Sequence, residues 1–142
     1  MSPRKRSRRR PRGVVDTSVL LAGVAGFRNV GHNASASLLK RWVSDNTFTW
    51  LISEQILDEY KEVLARQKVR RELIGRIINL LREEASLVPV KRTETVSPDP
   101  GDDPICACAE EGDADFIVTL NPRDFPQRKL KARVIAPGDP LA

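Results

Sequence analysis

Acidic residues stand at several points of the sequence where predicted chain elements begin or end. Asp16 follows a short apolar run, and Asp102 and Asp103 open a helical pattern. Asn121 and Asp124 follow a second apolar run. Carboxylates that a fold brings together repel one another unless a cation lies between them. Because Mg²⁺ prefers such oxygen ligands and can activate water at a phosphate, these residues predict a divalent-cation site with hydrolytic chemistry.

A further carboxylate is predicted on the helix that follows Ser53. Successive helical residues are turned by about 100°, which places Glu59 beside the apolar stripe of this helix. The same geometry directs Asp58 and Glu62 toward solvent. Glu59 can therefore reach over the edge of a sheet to position a metal ion or a water molecule. The alternative is that Glu59 is an ordinary surface acid.

Two hydroxyl side chains and two of the acids could have a structural role instead of a role at the site. Ser18 and Thr119 can bind a metal-bound water or donate hydrogen bonds to the carboxylates, but they also suit turns. Asp103 fits a helix N-cap because a proline follows it, which leaves Asp102 freer to bind metal. Asp124 can either contact metal or water, or cap a turn. Asp103 is therefore a possible metal ligand and Asp102 a preferred one.

The elements that must position these residues alternate between strands and helices. Helices are predicted after Asn33 and Ser53 and over residues 73–81 and 102–111, and no element is assigned to residues 17–32. Strands are predicted at residues 13–16, 47–52, 87–90, 116–119 and 133–136. This order indicates an α/β fold with a parallel sheet of about five strands and helices on both faces, a Rossmann-like three-layer arrangement. Ligands bind such sheets beyond the carboxyl ends of the strands, where the acids above are expected to meet.

The basic character of the chain is concentrated in its first twelve residues. Seven of its lysines and arginines precede Gly13, so that without them the formal net charge changes from +5 to −2. A run of like charge repels itself, so residues 1–12 are predicted to be a disordered tail and residues 13–142 one domain. RNA is the natural polyanion for the tail. The alternative is a solvated segment without a partner.

Composition excludes several classes of protein. No stretch approaches the roughly 18 apolar residues of a membrane span, and Asp16 interrupts the apolar stretch that an export signal would need. We therefore expect no membrane association and a cytoplasmic location. Cys106 and Cys108 are too few for a zinc site and should pack as small apolar residues. His32 stands in a loop-like context, which disfavours nucleophilic catalysis through a histidine base.

Four segments resemble the PIN-domain family, and among its members the VapC-like, toxin-type ribonucleases. These segments are Val14 to Ser18, the helix after Ser53, the Asp-Asp-Pro helix start and residues 115–125, and the likeness runs from Gly13 nearly to the last residue. The resemblance implies a PIN-like sheet with flanking helices, dependence on Mg²⁺ or Mn²⁺, homodimers and an antitoxin protein encoded beside the toxin. By position it places metal-binding or catalytic acids at Asp16, Glu59 and Asp102.

The chain departs from the family pattern at two positions. Ser18 stands where the family often has asparagine, and Asn121 stands where it often has an acid. Many members carry an acid before the following phenylalanine, which is Asp124 here. The expected function is therefore metal-dependent hydrolysis of RNA phosphodiesters, with a catalytically inactive RNA-binding or partner-binding module as the alternative. A phosphatase of another α/β fold is disfavoured, because Ser18 replaces the second aspartate that such enzymes use and no glycine-rich phosphate loop is present.

Overall fold

The structure, a computed structural model, describes residues 9–28, 33–90 and 103–142. Most of the predicted basic tail, His32 and Asp102 lie outside the described residues. In the described ranges no helix combines the length and the apolar composition that a bilayer crossing requires.

Five strands form one parallel sheet in the order β3-β2-β1-β4-β5. In chain order the elements are β1 (Arg12–Val15), α1 (Thr17–Arg28), α2 (Ala34–Asp45), β2 (Thr49–Ile52), α3 (Glu54–Arg66), α4 (Arg71–Glu84), β3 (Ser86–Leu87), α5 (Asp103–Glu111), β4 (Phe116–Val118) and β5 (Arg133–Ile135). Two single-turn 3₁₀ helices, Pro122–Asp124 and Gln127–Lys129, connect β4 to β5. The predicted parallel α/β fold is confirmed. So is the adjacency of the first and fourth strands, on which the predicted site depends.

Local signals in the sequence start two helices where they were predicted. The side chain of Asn33 accepts a hydrogen bond from the backbone N–H of Ala36 at 2.7 Å. Ser53 accepts one from Ile56 at 3.2 Å. Each cap satisfies one of the backbone donors that a helix leaves unpaired at its amino end. The cap at Ser53 matters most for the site, because it sets the phase of α3 and so the direction of Glu59.

Helix α1 was not predicted. Gly23 and Gly26 lower its intrinsic helix propensity, but both are used for packing against α2. A Cβ atom at Gly23 would overlap the side chain of Leu39, and one at Gly26 would lie 2.8 Å from the Cβ of Ala36. Close contact between the two helices therefore stabilises a segment whose local sequence disfavours a helix.

Several predicted boundaries were wrong by a few residues. Strand β3 ends at Leu87 rather than residue 90, because Pro89 cannot donate a ladder hydrogen bond. The central strand, β1, begins at Arg12, inside the range predicted as tail. The backbone N–H of Arg12 donates to the carboxylate of Asp115 at 2.8 Å, and Arg9 forms a salt bridge with the same residue at 3.2 Å. Asp115 thus fastens the start of the domain to the amino-terminal edge of β4.

The centre of the sheet is packed around Gly13. This residue lies between Trp50 of β2 and Phe116 of β4 in the strand register. The Phe116 ring occupies the space that a side chain at position 13 would need. The ring also meets Phe48 edge-on, with the centroids 5.4 Å apart. Glycine at this position therefore lets two large aromatic side chains cover the strand that carries Asp16.

The two cysteines pack in the core, as predicted. Cys106 and Cys108 are fully buried and form no disulfide. Burial raises the pKa of Cys108 to about 12, so its thiol stays protonated and behaves as a small apolar group.

Replacement of Gly13 tests this packing. Gly13→Ala should lower the free energy of unfolding by about 3 kcal/mol, because the added methyl group overlaps a ring that is fixed on the neighbouring strand. Gly75→Ala is the matched control: it lies within α4 with open space around it, and it should stabilise the protein by about 0.8 kcal/mol. Urea unfolding followed by tryptophan fluorescence measures both values. Equal effects of the two substitutions would contradict this account.

Candidate active site at the carboxyl edge of the sheet

Asp16 lies where β1 ends and α1 begins. Its backbone N–H donates to the carbonyl of Val118 at 2.9 Å, and its carbonyl accepts from Val19 at 3.0 Å. The residue is 4% exposed. Its carboxylate stands at the amino end of a twelve-residue helix, where the helix dipole stabilises negative charge. Sheet and helix thus hold this acid in one place.

Two hydroxyl groups bind the carboxylate of Asp16. Ser18 Oγ lies 2.6 Å and Thr119 Oγ1 2.8 Å from the same oxygen, Oδ2. Each hydroxyl also accepts a backbone N–H, from Leu120 at 3.3 Å and from Asn121 at 2.9 Å. Because an N–H group can only donate, each hydroxyl directs its single proton at Oδ2 of Asp16, which accepts both hydrogen bonds. Of the roles considered for these hydroxyls, the structure shows hydrogen bonds to the carboxylate and to the backbone of the turn after β4. A contact with a metal-bound water remains a prediction.

Helix α3 contacts both residues that flank Asp16. Thr17 donates from its hydroxyl to Glu59 Oε2 at 2.6 Å, and the Tyr60 hydroxyl donates to the carbonyl of Val15. Tyr60 is fully buried. Burial raises its pKa well above the ordinary value, so its hydroxyl remains a donor. Two adjacent residues of α3 therefore clamp the chain on either side of Asp16.

The predicted direction of Glu59 agrees with the structure. It is half-buried and lies at the site, whereas Asp58 and Glu62 are exposed. Thr17 and Tyr60 were not identified from the sequence as part of the site. Tyr60 was assigned to the apolar stripe, which is correct for its ring. Its hydroxyl contact joins residues 45 positions apart and has no local signal.

The remaining predicted acids are only partly described. Asp124 is half-buried in the 3₁₀ turn after β4, and its backbone N–H donates to the carbonyl of Asn121 at 3.0 Å. Asp103 is the first residue of α5, but its side chain and the whole of Asp102 lie outside the described residues. Among the side chains that the structure describes, no group of three or more His, Cys, Asp or Glu could hold a metal ion. The described acids thus do not form a complete site by themselves.

The charge of Asp16 is not balanced by a basic side chain in the described part of the protein. None of the four salt bridges found there involves it. Its two hydroxyl donors are neutral, so no side chain among the described residues offsets a negative charge on this carboxylate. The oxygen ligands that surround it are hard donors, which fit Mg²⁺ or Mn²⁺ better than a metal that prefers sulfur or imidazole.

Comparison with known proteins agrees with this fold. Residues 12–123 match the model of a PIN-domain family, PIN_3. The chain therefore belongs to the PIN-domain family, whose members are generally nucleases. Its fold is similar to a chain in the crystal structure of VapBC2 from Rickettsia felis bound to a DNA fragment from their promoter. That match has a TM-score of 0.58 and 13% identity, and it covers 88% of this chain and 98% of the other. The comparison with curated protein sequences gave no match.

The clamp by Tyr60 can be tested by removing one oxygen atom. Tyr60→Phe leaves the buried carbonyl of Val15 without this donor and should lower the free energy of unfolding by about 1 kcal/mol. Thr47→Val is a suitable control, because the buried Thr47 hydroxyl has no hydrogen-bond partner among the described residues. The control should be neutral or slightly stabilising in urea unfolding. An unchanged stability of Tyr60→Phe would refute the clamp.

Proposed function

We propose that this protein is a divalent-metal-dependent endoribonuclease that hydrolyses RNA phosphodiester bonds. The observation that carries the proposal is the buried Asp16 carboxylate, which two hydroxyls hold and no described basic residue neutralises. Membership of the PIN-domain family supports nuclease chemistry. The choice of RNA as substrate rests on the resemblance to VapC-like ribonucleases.

The residues have distinct roles in the proposed mechanism. Asp16, Asp102 and Asp124 hold Mg²⁺ or Mn²⁺, and Glu59 positions the metal or the attacking water. A bound divalent cation would supply an activated water and polarise the phosphate. Both hydroxyl donors engage Oδ2 of Asp16 and so restrict the rotation of its carboxylate, which would help this residue to hold a cation. Because the Asp16 side chain is already ordered, less conformational entropy is lost when a cation binds to it.

Two features set limits on the metal site. The described acids do not form a group of three, so the proposal requires a contribution from Asp102, with Asp103 as a possible further ligand. Asn121 carries no charge, so Asp124 must supply the acid on the β4 side. If neither contributes, the protein is an RNA-binding module with the same fold and no turnover.

Replacement of Asp16 tests the mechanism. Asp16→Asn should lower cleavage of mixed single-stranded RNA in Mn²⁺ at least about a hundredfold, because it removes the charge that holds the cation. EDTA should abolish cleavage by the unmodified protein. Asp58→Asn is the matched control, since Asp58 is exposed on the helix that carries Glu59, and it should retain full activity.

Three results distinguish the alternatives. Cleavage that persists in EDTA or in the Asp16→Asn variant would contradict the metal-dependent mechanism. Stable RNA binding without cleavage in Mg²⁺, Mn²⁺ or any other divalent ion would favour the inactive module. Cleavage that falls equally in Asp16→Asn and Asp58→Asn would point to damage of the fold instead of the site.

We also propose that the protein is the toxin of a toxin–antitoxin pair. The fold likeness to a chain of VapBC2 supports this role. An apolar groove of about 470 Å³ between α1, α2 and α4 offers a surface for a partner. Val43 and Leu80 line it and are 60% and 36% exposed, which is high for such residues in a monomer. A small antitoxin protein with an apolar helix face is the occupant that we propose.

Substitutions that introduce a charge into this groove test whether the partner binds there. Val43→Glu and Leu80→Glu should prevent co-purification with the small protein encoded beside this chain and restore the growth arrest that the partner relieves. Leu87→Glu is the control, because Leu87 is 53% exposed but does not line the groove. If the groove variants instead convert a dimer to a monomer, as size-exclusion chromatography with light scattering would show, the groove is the surface of a homodimer.

A further inference from the structure

The turn between α3 and α4 is strongly basic. Arg66, Lys68, Arg70 and Arg71 stand within six residues that contain no acid, and all four are exposed. Arg66 forms a salt bridge with Glu62 at 3.0 Å. In the described ranges no acidic side chain pairs with Lys68, Arg70 or Arg71. We refer to residues 66–71 as the basic turn.

The position of two of these cations is unfavourable in the protein alone. Arg70 immediately precedes α4 and Arg71 is its first residue. The amino end of a helix carries partial positive charge, so a cation there is repelled where an acid would be stabilised. Neither arginine stabilises α4 from this position. An external anion would therefore be a suitable partner for the basic turn.

A groove connects the basic turn to the candidate active site. It has a volume of about 460 Å³ and runs between α1, which contributes Ser18, Leu21, Ala22 and Ala25, and the turn, which contributes Gln67 and Val69. The hydroxyl of Ser18 at one end donates to Asp16. We call this the Gln67 groove. Its volume lies within the roughly 300–1,000 Å³ of small-ligand sites, and small apolar side chains line most of it.

We propose that the basic turn and the Gln67 groove bind the single-stranded RNA that flanks the scissile phosphate. Lys68, Arg70 and Arg71 contact the phosphate backbone, and one unpaired base enters the groove. The carboxamide of Gln67, which can both donate and accept hydrogen bonds, contacts the edge of that base. This inference rests on the proposed function and names the substrate form that the same site takes.

The chemistry of the groove favours a single strand over a duplex. A base can enter an apolar groove only when it is unpaired and turned away from its neighbours, which loops and ends of RNA allow. Proteins that bind single-stranded nucleic acids combine positive charge with a surface that bases can pack against. Here the lining of the groove that could serve as this surface is mainly aliphatic. The continuity of the groove with Ser18 places the bound strand next to Asp16.

A pair of matched double variants tests the binding of the RNA backbone. Binding of a fluorescent single-stranded oligoribonucleotide is measured in EDTA over a range of salt concentrations, so that cleavage does not interfere. Arg70→Gln with Arg71→Gln should lower the slope of log affinity against log salt by about 1.4, or about 0.7 for each phosphate that is no longer neutralised. Arg128→Gln with Lys129→Gln removes the same charge from the exposed turn before β5 and should leave the slope unchanged.

The melting temperatures of these variants show whether a change in RNA binding is caused only by a loss of folded protein. Because Arg70 and Arg71 oppose the dipole of α4, their neutralisation should not lower the melting temperature. The basic tail is present in every variant and adds the same contribution to each slope. An unchanged slope in the basic-turn variant, or an equal fall in the control, would overturn the proposal.

A second pair of measurements tests the base site. The unmodified protein should bind a single-stranded RNA at least fivefold more tightly than a strand of the same length without bases. Ala25→Leu fills the groove and Gln67→Ala removes the amide, so both should reduce this preference while the salt slope stays the same. Equal binding of the two strands by the unmodified protein would refute the base site.

Failure of this inference can be told apart from failure of the proposed function. RNA binding that depends on the basic turn, without cleavage in any divalent ion, supports the binding surface and rejects the nuclease. Metal-dependent cleavage with unchanged binding in the basic-turn variant supports the nuclease and rejects the binding surface.

Discussion

The structure of the site depends on holding the buried carboxylate of Asp16, with which no basic side chain of the described residues forms a salt bridge. The Asp16 carboxylate is stabilised by two hydroxyls and by the amino end of α1. These groups come from the end of β1, the first turn of α1 and the end of β4. The carboxylate can be satisfied only when β1 and β4 are adjacent and in register. The full set of contacts to Asp16 therefore forms only when the sheet has folded.

The register itself depends on side-chain volume. Gly13 leaves room for Phe116 on the neighbouring strand, and the pairing continues from Val14 opposite Ile117 to Val15 opposite Val118. One residue further, the N–H of Asp16 still bonds to the carbonyl of Val118. The residue that follows β4 is Thr119, whose hydroxyl donates to the carboxylate of Asp16. A glycine at the amino-terminal end of the strand thus contributes to the geometry at its carboxyl end.

Charge is distributed unevenly around this fold. The carboxyl edge of the sheet carries Asp16 and Glu59, while the nearby basic turn carries four exposed cations. Such an arrangement suits a polyanion, which must be attracted to the surface although the reacting phosphate lies beside carboxylates. The chain enters the domain at the edge formed by the amino ends of the strands, where Arg9 pairs with Asp115. The first residues of the chain are therefore attached roughly 13 Å from the acids, the length of the four-residue β1.

Local features determined much of the fold in advance. Short apolar segments predicted the five strands, capping side chains predicted the starts of α2 and α3, and a charged residue directly after Val14 and Val15 identified Asp16. Helical periodicity was enough to select Glu59 over Asp58 and Glu62. These features act within a few residues, where backbone geometry alone decides which way a side chain points. The metal-binding or catalytic roles of all the predicted site acids remain predictions, namely those of Asp16, Glu59, Asp102, Asp103 and Asp124.

Only the tertiary structure decided how these elements are joined. The formation of α1 depends on close packing of Gly23 and Gly26 against α2, which overrides local propensity. The contacts of Thr17 with Glu59 and of Tyr60 with Val15 join segments more than forty positions apart. The Gln67 groove exists only because the end of α3 lies against α1. A hydrogen bond or a cavity between distant segments depends on the packing of the whole chain, and for that reason neither has a signature in the local sequence.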